Sequence, residues 1–143
     1  MIVVAIIGIL AAIAIPKFAN LVRKSQEGQT RGNLGALRSA ISIYYSDMEG
    51  FYPTGPAGTN SNELQDSLTT NGKYLSKFPS VKTPPYHADI STVDSIPTGD
   101  AFAADATGEG EWVYTSIATD ANWGMVQVEC YHTDTKGSVW TTY

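Results

Sequence analysis

Two histidines, one cysteine and a scatter of acidic side chains are the groups in this 143-residue chain with types suited to chemistry. His87 and His132 are far apart in sequence, and neither stands in a metal-ligand spacing or a nucleophile motif. Cys130 is the single cysteine, so no intrachain disulfide is available and no cysteine-based zinc fold either. With no cationic cluster beside it to favour a thiolate, it reads as a small buried apolar residue. Gly108-Glu109-Gly110 lacks the strand-to-helix context of a phosphate-binding loop. Asp100, Asp105, Glu109, Glu111 and Asp120 offer the hard oxygens that calcium favours. Their spacing follows no EF-hand template, so a solvated acidic rim is the simpler reading and the calcium set the weaker one. No catalytic residue, no resident metal and no cofactor are expected, and the chain does not read as an enzyme.

The distribution of charge says more than its sum. Met1 to Arg38 holds five basic residues against Glu27 alone, 5 − 1 = +4, and Ser39 to Tyr143 holds four basic and thirteen acidic, 4 − 13 = −9, which together give the net −5. An acidic body on a basic stem is poorly suited to wrapping nucleic acid and well suited to packing stems beneath the bodies of neighbouring copies.

MIVVAIIGILAAIAIP, Met1 to Pro16, has no charged or hydrogen-bonding side chain. As a helix it would be roughly 24 Å long, slightly short of the ~20 residues that cross a bilayer. Ala12-Ile13-Ala14 resembles a signal-peptide cleavage site, but no positive segment precedes the apolar run. Every face from Ile2 to Ile15 is apolar, so this helix needs lipid or protein all round it. Lys17, Arg23 and Lys24 follow as a positive flank. Gly8 and Pro16 bracket a softened segment, because glycine weakens a helix by roughly 1 kcal/mol against alanine and proline removes a backbone donor.

Beyond Pro16 the pattern turns amphipathic. Leu34, Leu37, Ile41, Tyr44 and Met48 recur at spacings of 3, 4, 3 and 4, one stripe of a continuing helix that Gly50 ends. GPAGTNSN is a turn-rich connection, Glu63 to Leu68 a short helical turn capped by Ser61 or Asn62, and Tyr74 to Tyr86 a proline-rich packed connector. Ser91 to Gly110 reads as surface loop with a strand edge near Val93. Trp112 to Ile117, Met125 to Tyr131 and Ser138 to Thr142 alternate as strands, with Val126, Val128 and Cys130 facing the helix stripe. The expected fold is α+β: a long N-terminal helix whose second half lies on a small C-terminal antiparallel meander. The division is a stem over 1–24 and a body over 25–143, the body made of helix 25–49, connector loops 50–110 and strands 111–143.

MIVVAIIGILAAIAIPKF, Met1 to Phe18, resembles the N-terminal segment of type IV pilins and of the related pseudopilins of type II secretion almost residue for residue. The resemblance implies that the leader, and a first mature stretch bearing the glutamate used in assembly, lie upstream of Met1. It implies a homopolymer: an extracellular helical filament serving adhesion, motility or DNA uptake, with Ile2, Val3, Ile6, Ile7, Ile9, Leu10, Ile13 and Phe18 at the subunit interface. It also implies helix unwinding between Gly8 and Pro16 in the filament, against the alternative of a plain kink at Pro16. The implied partners are the inner membrane before assembly, a prepilin peptidase, a membrane platform and cytoplasmic ATPases. Major pseudopilins bind calcium in a C-terminal loop, but the acids above do not align with those ligands. A pseudopilin forming a short periplasmic piston is the nearer alternative, favoured by the lack of a disulfide pair. HTDTKGSVW and the aromatic end Trp140 to Tyr143 resemble pilin C-termini more closely. A membrane-anchored binding module that never polymerises is the more distant alternative. Tyr44, Tyr45, Phe51 and Tyr52 cluster at the end of the stem, where hydrophobic anchoring is the simpler role than the electron conduction proposed for some pilins.

Overall fold

A computed structural model of the protein describes residues 1–54, 63–96 and 110–143. Its dominant element is helix α1 (Ile2–Asp47), 46 residues and hence about 69 Å long. The helix runs unbroken through Gly8 and Pro16. Proline at that place only withholds a donor from the Ala12 carbonyl, and the flanking turns carry the helix across it. Its end is closed by two residues in the left-handed region, Glu49 and Gly50, with the Gly50 N–H on the Tyr45 carbonyl at 2.9 Å.

From Glu27 onward one face of α1 turns inward. Glu27, Thr30, Leu34, Leu37, Ala40 and Ile41 are buried, and the periodicity puts them on one stripe. Tyr44 packs at the edge of that core, but Met48, expected on the stripe, is exposed because the chain has already left the helix there.

The stripe lies against a three-stranded sheet in the order β1 (Val93–Ile96), β2 (Trp112–Thr115), β3 (Val126–Val128). The expected meander is corrected in two places. β1 pairs parallel with β2, Val93 opposite Trp112, and only β2 and β3 pair antiparallel, Trp112 opposite Val128. Strand direction is set by the connection and not by the strand residues, so no strand pattern announces a parallel pair. The third expected strand, Ser138 to Thr142, is a single bridge, Thr133 to Val139, followed by a 3₁₀ turn at Trp140–Thr142. The residues on either side of it tie the C-terminus to α1 instead, Asp134 to Arg31, Thr135 to Glu27 and the Tyr143 carbonyl to Arg38.

β2 is the central strand and is buried along its whole length. Trp112, Tyr114, Val126, Val128 and Cys130 join Leu34, Leu37 and Ile41 in one cluster, closed at its sides by α2 (Glu63–Thr69) through Leu64 and Leu68, by Phe78 and Val81, and by Trp140. The expected inward face Val126, Val128, Cys130 is the observed one. The large rings keep their polar ends satisfied: Trp112 donates to the Pro79 carbonyl at 2.8 Å, and Tyr114 donates to the Pro53 carbonyl at 2.8 Å. The helix end is pinned by Tyr45 on Tyr52 and Tyr52 on Trp123, with ring centroids 4.4 and 5.2 Å apart. Gly124 makes that closeness possible. At φ +85° a side chain there would be strained, and its Cβ would come within 2.6 Å of the Tyr52 ring.

Candidate functional site

The most unusual surface is the first half of α1. From Met1 to Val22 every residue is exposed except the half-buried Ala11, and the most apolar stretch of the helix has a mean hydropathy of 2.5 with none of it buried. Ile2, Val3, Ile6, Ile7, Ile9, Leu10, Ile13 and Phe18 are each more than half exposed. Between Ile15 and Phe18, the small residues Ala14 and Ala19 leave an open groove of about 440 Å³. A surface of this kind is far larger than the scattered apolar residues of a soluble monomer, and it requires lipid or protein against it. Length and composition also suit a membrane span.

A second set of residues fixes this stem to the body. The Glu27 carboxylate accepts the Thr135 N–H at 3.0 Å and the Thr135 hydroxyl at 2.6 Å. The Thr30 hydroxyl donates to the Lys82 carbonyl and accepts the Lys82 N–H, at 2.7 and 2.8 Å. Asn33 donates to the Ser80 carbonyl at 2.8 Å. Arg31 pairs with the fully buried Asp134 carboxylate and lies over the Tyr143 ring, 4.5 Å from its centroid. Arg38 donates to the carbonyls of Val126 and Tyr143 at 3.1 and 2.7 Å. Asp134 also accepts the N–H groups of Lys136 and Ser138 and the Tyr143 hydroxyl. Burial pushes its carboxyl up, but these donors and the Arg31 charge outweigh burial and hold it below the usual 3.8.

The basic stretch Lys17 to Arg38 therefore divides. Arg31 and Arg38 are used inside the subunit, whereas Lys17, Arg23 and Lys24 make no ion pair among the described residues.

Of the weak calcium candidates, Asp100, Asp105 and Glu109 lie outside the described residues. Asp120 serves a turn, its side chain accepting the Asn122 N–H at 2.7 Å. Glu111 accepts the Thr92 hydroxyl at 2.6 Å and gathers with Asp94 and Glu129, their oxygens within 4.8 Å of one another. Strand register assembles this trio, which sequence spacing alone does not reveal.

The two histidines, distant in sequence, meet in space. His87 Nε2 is 3.1 Å from His132 Nδ1, and the Cys130 sulfur is 3.5 Å from the same nitrogen. Burial raises the Cys130 pKa, with the His132 backbone and the Thr83 hydroxyl acting in the other direction. The Cys130-X-His132 spacing was the only local signal; His87 is brought in by the fold of the connector.

No protein-family model and no solved structure matches the chain. Among curated proteins it is 43% identical over 75 residues to the fimbrial protein EcpC of Eikenella corrodens, covering 52% of this chain and 45% of that one. It is 42% identical over 72 residues to the fimbrial protein Q of Moraxella bovis, covering 50% and 45%. To the type IV major pilin protein PilA of Myxococcus xanthus it is 49% identical over 49 residues, 34% of this chain and 22% of that one. The chain thus spans under half the length of the curated relatives it matches. A long helix, apolar and bare in its first half and clasped to a small sheet in its second, accompanies this similarity to fimbrial proteins and type IV pilins over about half of the chain.

Proposed function

We propose that this chain is a structural subunit that polymerises through its stem into an extracellular helical type IV pilus. The observation that carries the reading is the bare apolar surface from Met1 to Val22, joined to a body whose own core closes without it. Before assembly the inner membrane covers that surface; after assembly neighbouring stems do. Ile2, Val3, Ile6, Ile7, Ile9, Leu10, Ile13 and Phe18 form the interface. Full burial of one such side chain is worth about 1.5–3 kcal/mol against water, and less for a subunit leaving lipid, so close packing and charge pairing supply the remainder. A head-to-tail contact repeated without closure gives an open filament. Lys17, Arg23 and Lys24, unpaired within the described subunit, meet acidic groups of neighbours. Gly8 to Pro16 is helical in the subunit and is the stretch proposed to extend on assembly. The assembly machinery is a prepilin peptidase, a membrane platform and cytoplasmic ATPases, and the filament serves adhesion, motility or DNA uptake.

Ile6→Asp tests the interface. A charge at a mid-stem position costs about 2.5–3.5 kcal/mol in lipid and leaves an unpaired charge between packed stems. Sheared surface fractions should lose the filaments, while the body over 25–143 keeps its fold by circular dichroism. Filaments at wild-type yield would overturn the interface. Short periplasmic fibres with no surface filaments in the wild type would point to the pseudopilin role instead.

A further inference from the structure

We propose that His87, Cys130 and His132 form a site for one divalent transition-metal ion of the zinc class, which staples the connector after α2 to the segment after β3. In a tetrahedral site with metal–nitrogen bonds near 2.05 Å and metal–sulfur bonds near 2.3 Å, two nitrogens stand about 3.3 Å apart and a nitrogen and a sulfur about 3.6 Å. The distances here are 3.1 Å between His87 Nε2 and His132 Nδ1 and 3.5 Å between His132 Nδ1 and the Cys130 sulfur. All three ligand atoms lie within 4.8 Å of one another. The donor set of two imidazoles and one thiol suits zinc, and not the hard oxygen-seeking ions.

The surroundings hold the ligands in this arrangement. The Tyr86 ring stacks on the His132 imidazole, with centroids 3.8 Å apart and planes at 10°. Gly110, at φ +80°, lies flat against His87, where an added Cβ would come within 2.7 Å of the ring. The Gly110 N–H is tied to the Glu129 carbonyl at 3.0 Å, so that backbone is fixed beside Cys130. The Thr83 hydroxyl, 1% exposed, bears on the thiol and meets no other partner within hydrogen-bond geometry among the described residues. It is a buried polar group free to donate to a metal-bound thiolate. His132 is exposed, which leaves the fourth position open to water.

Binding releases the thiol proton to solvent. The hydrogen shared between the imidazoles moves by solvent exchange to the distal nitrogen of its ring, so that each presents a lone pair to the metal. The two histidines are 45 residues apart, and a clip closing a loop of that size stabilises a body whose sheet has three short strands among the described residues.

The test is cobalt titration of the reduced, untagged full chain in detergent, followed by zinc displacement. One Co²⁺ per chain should bind with a near-ultraviolet thiolate charge-transfer band and tetrahedral visible bands. Cys130→Ser should abolish the charge-transfer band. His132→Gln, at an exposed position, should leave the metal-free fold intact and weaken binding by more than about 100-fold, since even outer-shell changes cost 10–100-fold. Zinc at about 100 times its Kd should displace cobalt and raise the Tm of the wild type by roughly 5 °C or more, and of His132→Gln not at all. Absence of the charge-transfer band in the wild type, or equal binding by His132→Gln, would overturn the site. The wild-type titration decides even if Cys130→Ser does not fold. Because the ligands all lie in the body, the outcome is independent of whether the stem polymerises.

Discussion

Asp134 gathers two backbone N–H groups, the Tyr143 hydroxyl and the Arg31 guanidinium. It links α1 to the C-terminal turn, so its protonation state reports on that junction. Its folded pKa is depressed, so its contribution is complete above the unfolded value near 3.9 and is lost as pH falls through the lower folded value. Asp134→Asn should therefore lower stability at neutral pH by about 2 kcal/mol or more and flatten the loss of stability below about pH 4. Urea unfolding of both proteins between pH 2 and 7, intervals of roughly one unit around the carboxylate range, measures this. Parallel pH profiles for the two would contradict the assignment. At this scale the sequence was only partly legible. Cys130 was readable as buried from strand alternation, but a spatial meeting of His87 with His132 depends on how the proline-rich connector folds back, and no periodic signal encodes that. Arg31 and Arg38 looked like two more charges of a basic collar, and only the packing of the C-terminus shows that both are engaged within the subunit.

The elements themselves were easier to read because long helices carry a strong period. The stripe Leu34, Leu37, Ile41 is visible in the sequence and buried in the structure. Short strands carry little signal: β3 spans three residues, and the alternation of Ser138 to Thr142 resembles a strand although a single bridge and a 3₁₀ turn form there. The parallel pairing of β1 with β2 was illegible for a related reason, since direction is set by the connection and not by the strand residues. Helix α1 also carries glycines at 28, 32 and 35 in its body half, each facing open space. Glycine inside a helix costs about 0.5–1 kcal/mol against alanine when nothing occupies the space a methyl would fill. Gly32→Ala should accordingly stabilise the isolated subunit by about that amount, read as a rise in the urea midpoint at unchanged slope. A fall in the midpoint would mean that Gly32 meets a neighbour or a strained backbone.

For the whole molecule, the governing fact is a separation of surfaces. The body closes its core on Trp112, Tyr114, Leu37 and Trp140, while the stem, from Met1 to Val22, is left bare. Charge follows the same division, +4 over residues 1–38 and −9 over residues 39–143. In the proposed filament, stems packed side by side would place Lys17, Arg23 and Lys24 near acidic bodies, so that part of the contact would be electrostatic and weaken with salt as the screening length falls from about 10 Å at 0.1 M to about 3 Å at 1 M. Electron cryo-microscopy of filaments sheared from the surface of cells producing this chain, at a resolution that traces side chains, addresses the central claim most directly. The account predicts Met1 to Val22 at the filament axis, surrounded on all sides by the same stretch of neighbouring subunits, with the acidic bodies outside. Filaments in which this stretch faces solvent, or surface filaments that lack the chain altogether, would contradict it.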